Sequence, residues 1–221
     1  MSCDKNYNLN VIVIPSTGTN CYVLDYDKRA IVIDAGGDGY EIISFIKNNN
    51  LILDSILLTH GHYDHIEALD SIVKEFNDVK IYANINEKCV IEDAKLNLMG
   101  YDLKKETLSK IIYIDETTLN IIDLHIDVLH TKGHTIGSTS FYVKELNILF
   151  SGDTLFRDSY GRCDLPTGDM KQLVRSVVKK IMSLPDNVSV YPGHGDKTSI
   201  SYERKNSELM RDYVIEWSLK E

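Results

Sequence analysis

At 221 residues with 43% hydrophobic content, the chain carries enough apolar side chains to bury a full core, and its size fits one large domain over residues 1–221. A net charge of -9 leaves no long-range basic field to draw in a phosphate backbone, which disfavours nucleic acid as a partner. The first residues lack a basic segment followed by an apolar run, and no stretch of about 18 apolar residues occurs, so we expect a cytoplasmic protein with no membrane partner.

Short Val- and Ile-rich runs predict strands at residues 10–14, 21–25 and 30–34, the last closing on Ala35-Gly36-Gly37. A helical pattern follows at 40–47, then a buried strand at 55–59 that runs directly into His60, then a helix over 67–76. Residues 80–83 read as a strand and 86–93 as helical, while the polar stretch around Gly100 has no clear period. The second half predicts strands at 110–114, 124–129, 138–143, 148–151 and 189–191, a helix at 170–182 and a last helix beginning near Tyr202. Strands in both halves with helices between them suggest two stacked sheets whose outer faces are covered by helices.

The segment Thr59-His60-Gly61-His62-Tyr63-Asp64-His65 places four metal-ligand side chains within six residues, immediately after an apolar strand. Alternation points His60 and His62 the same way, and a turn beyond Tyr63 swings Asp64 and His65 toward a neighbouring point, so one loop could feed two metal positions. His134, Asp153 and His194 recur in Gly133-His134-Thr135, Gly152-Asp153-Thr154 and Gly193-His194-Gly195, each beside a glycine that permits a tight turn. Imidazoles and carboxylates without nearby cysteines suit a catalytic site holding zinc, iron or manganese. His125 and His130 lie five apart on one strand and so on opposite faces, which is poor geometry for shared ligation. Cys3, Cys21, Cys89 and Cys163 form no C-x-x-C pair and read as free thiols, Cys163 as filler rather than nucleophile.

These residues resemble the metallo-β-lactamase superfamily, over roughly residues 10–204. The resemblance implies an α+β fold, a four-layer αβ/βα sandwich of two packed mixed sheets with external helices. It also implies His60, His62 and His134 on one metal, Asp64, His65 and His194 on a second, and Asp153 between the two. Ser151-Gly152-Asp153-Thr154-Leu155-Phe156, Gly161-Arg162-Cys163-Asp164-Leu165-Pro166 and Tyr191-Pro192-Gly193-His194-Gly195 are similar to the glyoxalase II-like (hydroxyacylglutathione hydrolase-like) group. Characterised members of that group hydrolyse glutathione thioesters, and classical glyoxalase II carries a further C-terminal helical segment that helps hold glutathione, whereas 27 residues follow His194 here. Lys132 stands where the family often has proline.

The implied activity is cleavage of a small-molecule thioester such as an S-(2-hydroxyacyl)glutathione, with Asp64 and Asp153 as the catalytic carboxylates. Two divalent ions, zinc ahead of iron or manganese, would bring a shared water toward neutral pKa and deliver it as a bridging hydroxide. Tyr63, Arg157 and Arg162, in or beside the motif loops, are the candidate substrate contacts. The nearest alternative is a mononuclear iron persulfide dioxygenase, which keeps the same ligand types. A nuclease is disfavoured by charge, and a non-catalytic metal-binding module by the full complement of ligands.

Overall fold

The computed structural model describes residues 6–207. Among these, the strands form two six-stranded sheets and a two-stranded ribbon. The first sheet runs in chain order: β1 (Asn8–Val13), β2 (Asn20–Tyr26), β3 (Arg29–Ile33), β4 (Ile52–Leu57), β5 (Lys80–Asn84) and β6 (Ile111–Ile114). The second contains β7 (Thr117–Ile121), β8 (Leu124–His130), β9 (Thr139–Val143), β10 (Ile148–Gly152), β13 (Ser189–Pro192) and β14 (Thr198–Ser199), in the order β14-β13-β10-β9-β8-β7. A small hairpin, β11 (Leu155–Phe156) with β12 (Ser159–Tyr160), stands apart. Both large sheets are mixed: β3 to β6 pair in parallel after two antiparallel pairs, and β10 pairs in parallel with β13 in an otherwise antiparallel sheet.

The layering follows from the two-residue period of a strand. In β3, Ala30 and Val32 face one core while Ile31 and Ile33 face another. The first core packs against α1 (Tyr40–Asn48) and α3 (Leu69–Glu75) through Ile42, Ile46, Leu69, Ile72 and Val73. The second lies between the sheets, where Ile31, Ile33 and Leu57 meet Val128, Phe141, Val143 and Phe150. A third core covers the outside of the second sheet, with Leu173, Val174 and Val177 of α6 (Met170–Lys179) against Leu149 and Val190. The result is the expected αβ/βα sandwich. Strands buried on both faces need apolar residues at every position, which is why they stand out in the sequence as continuous runs.

Several elements depart from the sequence expectation. The helix expected over 67–76 is α3, preceded by α2 (Tyr63–Ile66), which begins inside the histidine motif. The helix expected over 86–93 is split into a 3-10 turn, Ile85–Glu87, and α4 (Lys88–Ile91); α5 (Lys105–Leu108) follows. The last helix, α7 (Ile200–Asn206), starts two residues early because the Ser199 hydroxyl caps it, accepting from the Tyr202 N–H at 3.2 Å. Strands β7, β11, β12 and β14 were not expected. Cys3 lies outside the described residues; Cys21, Cys89 and Cys163 are free thiols.

Candidate metal centre and active site

Every residue of the predicted constellation follows the C-terminal end of a core strand. His60 and His62 follow β4, His134 follows β8, Asp153 follows β10 and His194 follows β13. Hydrogen bonds stitch the two sheets together at this end: Thr139 N donates to Thr59 O at 2.8 Å and Asn20 N to Gly193 O at 2.7 Å. The glycines serve close approach. A Cβ on Gly193 would lie 2.2 Å from Asp153 Oδ1, and one on Gly161 only 1.8 Å from Asp153 O.

The side chains converge into three groups able to hold an ion: His60, His62 and His134; His60, His65 and Asp153; and Asp64, His65 and His194. In each group the ligand atoms lie within 4.8 Å of one another. Asp153 stands between the outer groups, its carboxylate 3.5 Å from His65 Nε2, 3.7 Å from His134 Nε2 and 3.6 Å from His194 Nε2.

Hydrogen bonds on the far side of the rings decide which nitrogen faces inward. His134 Nδ1–H donates to Arg162 O at 2.7 Å, and His65 Nδ1–H to Asp34 Oδ2 at 2.8 Å. The Thr59 hydroxyl donates to Asp34 Oδ2, so at 3.1 Å from His60 Nδ1 it is left to accept. Each of these contacts keeps a proton on Nδ1, so Nε2 is the nitrogen available to a metal. His60 Nε2, His62 Nε2, His65 Nε2 and Asp153 Oδ1 are fully buried and have no hydrogen-bond partner. Four orphaned polar atoms at one place are costly unless something binds them, and their chemistry fits a divalent cation.

The electrostatics separate the site into two halves. Burial, reinforced by the neighbouring rings, holds His60 well below the ordinary imidazole range and lowers His62 to about 3. Burial likewise lowers His134. Burial also opposes charge on His65, but Asp34, Asp153 and Asp64 outweigh it and push the ring up to about 10. Asp64 is held well below the usual carboxylate range: burial works the other way, but His194 and His65 prevail, assisted by the Thr19 hydroxyl donating at 3.0 Å.

A cleft of about 510 Å³ opens onto these groups. It is lined by Leu98, Phe156, Tyr160 and Leu165, by Tyr63 and Arg162, and by the ligand candidates His62, Asp64, His134, Asp153 and His194. Leu98 is held in the left-handed region with φ 65°, a strained conformation for this residue type, and Asn97 beside it accepts the Tyr63 N–H at 2.7 Å. Arg162 is paired with Asp164 through two 2.7 Å bonds. Arg157 is not among the cleft residues; it pairs with Asp158 and lies 5.1 Å over the Tyr202 ring. His125 binds Glu145 and His130 binds Ile136 O, both apart from the cluster. Cys163 is half-buried and its thiol is pushed up to about 11 by burial and by Asp169, so it is not primed as a nucleophile.

The sequence profile of the metallo-β-lactamase superfamily matches residues 15–194. The chain belongs to that superfamily. It is 37% identical over 200 residues to a probable metallo-hydrolase, YqgX, of Bacillus subtilis, covering 89% of this chain and 94% of that one. It is 31% identical over 209 residues to the hydroxyacylglutathione hydrolase GloC of Haemophilus influenzae, covering 91% and 98%. Among solved structures it is similar to the BLEG-1 B3 metallo-β-lactamase, with a TM-score of 0.84, 36% identity and coverage of 92% and 99%. It is also similar to TTHA1623 in a di-iron-bound form, with a TM-score of 0.75, 31% identity and coverage of 90% and 98%. The chain is thus a metallo-hydrolase of the metallo-β-lactamase superfamily, whose fold implies divalent metal binding.

Two residues that hold this site together escaped the sequence reading. Asp34 accepts from Thr59 N, Thr59 Oγ1 and His65, and Glu87 joins the His60-Gly61-His62 loop to the Thr135-Ile136-Gly137 turn. The available sequence sign for Asp34 was a carboxylate closing an apolar strand just before two glycines. Glu87, in a segment of weak period, gave none.

Proposed function

We propose that this protein is a binuclear metal-dependent hydrolase that cleaves a small-molecule thioester, such as an S-(2-hydroxyacyl)glutathione. The observation that carries the reading is the set of buried, unpartnered ligand atoms on His60, His62, His65 and Asp153, two of which, His62 and Asp153, line an open cleft. His60, His62 and His134 would hold one ion, Asp64, His65 and His194 the other, and Asp153 would serve both. Zinc is the first choice for this nitrogen and oxygen donor set, with iron and manganese as alternatives. Two bound cations supply a Lewis acid and a water of near-neutral pKa.

The chain's own residues do the rest. Asp34, Thr59 and Arg162 O hold the Nδ1 side of His65, His60 and His134, so that Nε2 is the nitrogen each ring turns to the centre. Thr19 and His194 hold the Asp64 carboxylate ionised and in place, where it would serve as a ligand and orient the attacking water. Leu98, Phe156, Tyr160 and Leu165 give the substrate an apolar wall to lie against. A thiol has a pKa of about 8.5, so the thiolate leaves without a strong general acid. The name of the GloC relative supports the thioester.

The test is hydrolysis of S-lactoylglutathione, followed beside oxygen uptake with glutathione persulfide. Thioester cleavage that is lost in Asp153→Ala and on chelation supports the proposal. Oxygen uptake with no thioester cleavage replaces it with the dioxygenase.

A further inference from the structure

Beyond the ligands, the least expected group near the site is Glu87, 1% exposed at the end of the 3-10 turn that follows β5. Its Oε1 accepts from Gly61 N at 2.8 Å, between His60 and His62. Its Oε2 accepts from Gly137 N at 2.7 Å and from Thr135 Oγ1 at 2.8 Å, just beyond His134. No cation neutralises this carboxylate among the described residues, and burial pushes it up to about 7 in spite of its three donors. A buried, unpaired carboxylate is an unfavourable way to fill a core.

The two loops it joins leave different sheets, one after β4 and the other after β8. Both are glycine where they press on this segment. A Cβ on Gly137 would meet Glu87 N at 2.3 Å, and one on Gly61 would meet Ile91 Cγ1 at 2.8 Å. Residues 85–91 are therefore a wedge against which both loops seat, and among the described residues the Glu87 carboxylate is its hydrogen-bonded tie to both.

We propose that Glu87 is a positioning residue: by holding Gly61 on one side and the Thr135-Ile136-Gly137 turn on the other, it sets His134 against His60 and His62. The metal affinity of that three-histidine group then depends on Glu87, while that of Asp64, His65 and His194 does not. The inference rests on the metal-centre reading proposed above.

Metal-free wild type, Glu87→Gln and Thr135→Val are titrated with zinc against a chromophoric chelator, and thermal unfolding of each metal-free protein is recorded alongside. Glutamine keeps the shape but turns an N–H₂ group toward one of the three donors. The expected result is a loss of about 10–100-fold in zinc affinity at one of two binding steps in Glu87→Gln, the range typical of groups that orient metal ligands. Thr135→Val, which deletes one donor and keeps the carboxylate, should give a smaller loss at the same step and decides the matter if Glu87→Gln does not fold. Wild-type affinity at both steps, or equal weakening of both with a lowered melting temperature, would overturn the proposal and leave Glu87 as support for the fold alone. If wild type itself takes up no zinc, it is the metal-centre reading that fails.

Discussion

Nδ1 of His65 lies 2.8 Å from the Asp34 carboxylate, with both side chains almost wholly buried. Asp34 adopts a left-handed backbone conformation, φ 59°, to present that carboxylate, and also accepts from Thr59 N and Oγ1 at 2.8 Å. One buried acid thus steadies the strand end before His60 and the ring of His65. Asp34→Asn should weaken zinc binding by the Asp64, His65 and His194 group by about 10–100-fold, and by a smaller factor that of the three-histidine group, which Asp34 reaches only through Thr59 and His60. Stepwise zinc titration checks this, with the larger loss at the opposite step from the Glu87→Gln expectation.

The two halves of the centre should also separate by pH. In the metal-free protein His65 keeps its proton up to about 10, whereas His62 stays neutral down to about 3. A metal must displace the proton on His65 but finds His60 and His62 already neutral. Zinc uptake at pH 7 should release about one proton at the His65 group, and lowering the pH to 6 should empty that group first. Calorimetry in two buffers of different ionisation enthalpy measures the proton count. Linkage gives the stability of the metal-free protein the corresponding signs. The raised pKa of His65 contributes stability that is complete below its ordinary value and lost as pH rises toward 10; the lowered pKa of His62 makes stability fall as pH drops below 6.5 toward 3.

Gly193→Ala places a methyl group 2.2 Å from Asp153 Oδ1 and 2.8 Å from His65 Cε1. The strand before it is unaffected, so the fold should persist while the carboxylate shifts. Displacement on the order of 1 Å at a reacting centre costs about 100-fold. We expect a loss of that size or greater in thioester hydrolysis, with an unaltered circular dichroism spectrum.

Phe141 is fully buried between the two sheets, beside Phe150 and Val128 in the same core. Phe141→Ala should cost about 3–5 kcal/mol in urea unfolding through the lost burial and the cavity left behind. His125→Ala, at an exposed pair with Glu145, should change stability by no more than about 1 kcal/mol and leave the metal content untouched.

The doubly buried strands and the metal-ligand residues were legible in the sequence for opposite reasons. The strands repeat one kind of residue because both faces are covered, and the ligands stand out because H-x-H-x-D-H is rare. β7 escaped because it is an edge strand whose Thr117, Thr118 and Asn120 are exposed, leaving a weak apolar alternation. β11, β12 and β14 have two residues each, too few to show any period. Asp34 and Glu87 were hidden because an acidic residue is common and their roles depend on tertiary pairing. Asp34 meets His65 across 31 positions, and Glu87 meets Gly61 and Gly137 across 26 and 50. Arg157 and Arg162 looked equivalent in the sequence, yet only Arg162 borders the cleft, and its backbone carbonyl is what touches a ligand ring.

The proposed two-metal thioesterase stands or falls on elemental analysis of protein purified without chelator, with S-lactoylglutathione hydrolysis measured on the same sample. Close to two divalent ions per chain are expected, with turnover that disappears as they are stripped. A fully active sample holding one ion or none would rule the binuclear centre out.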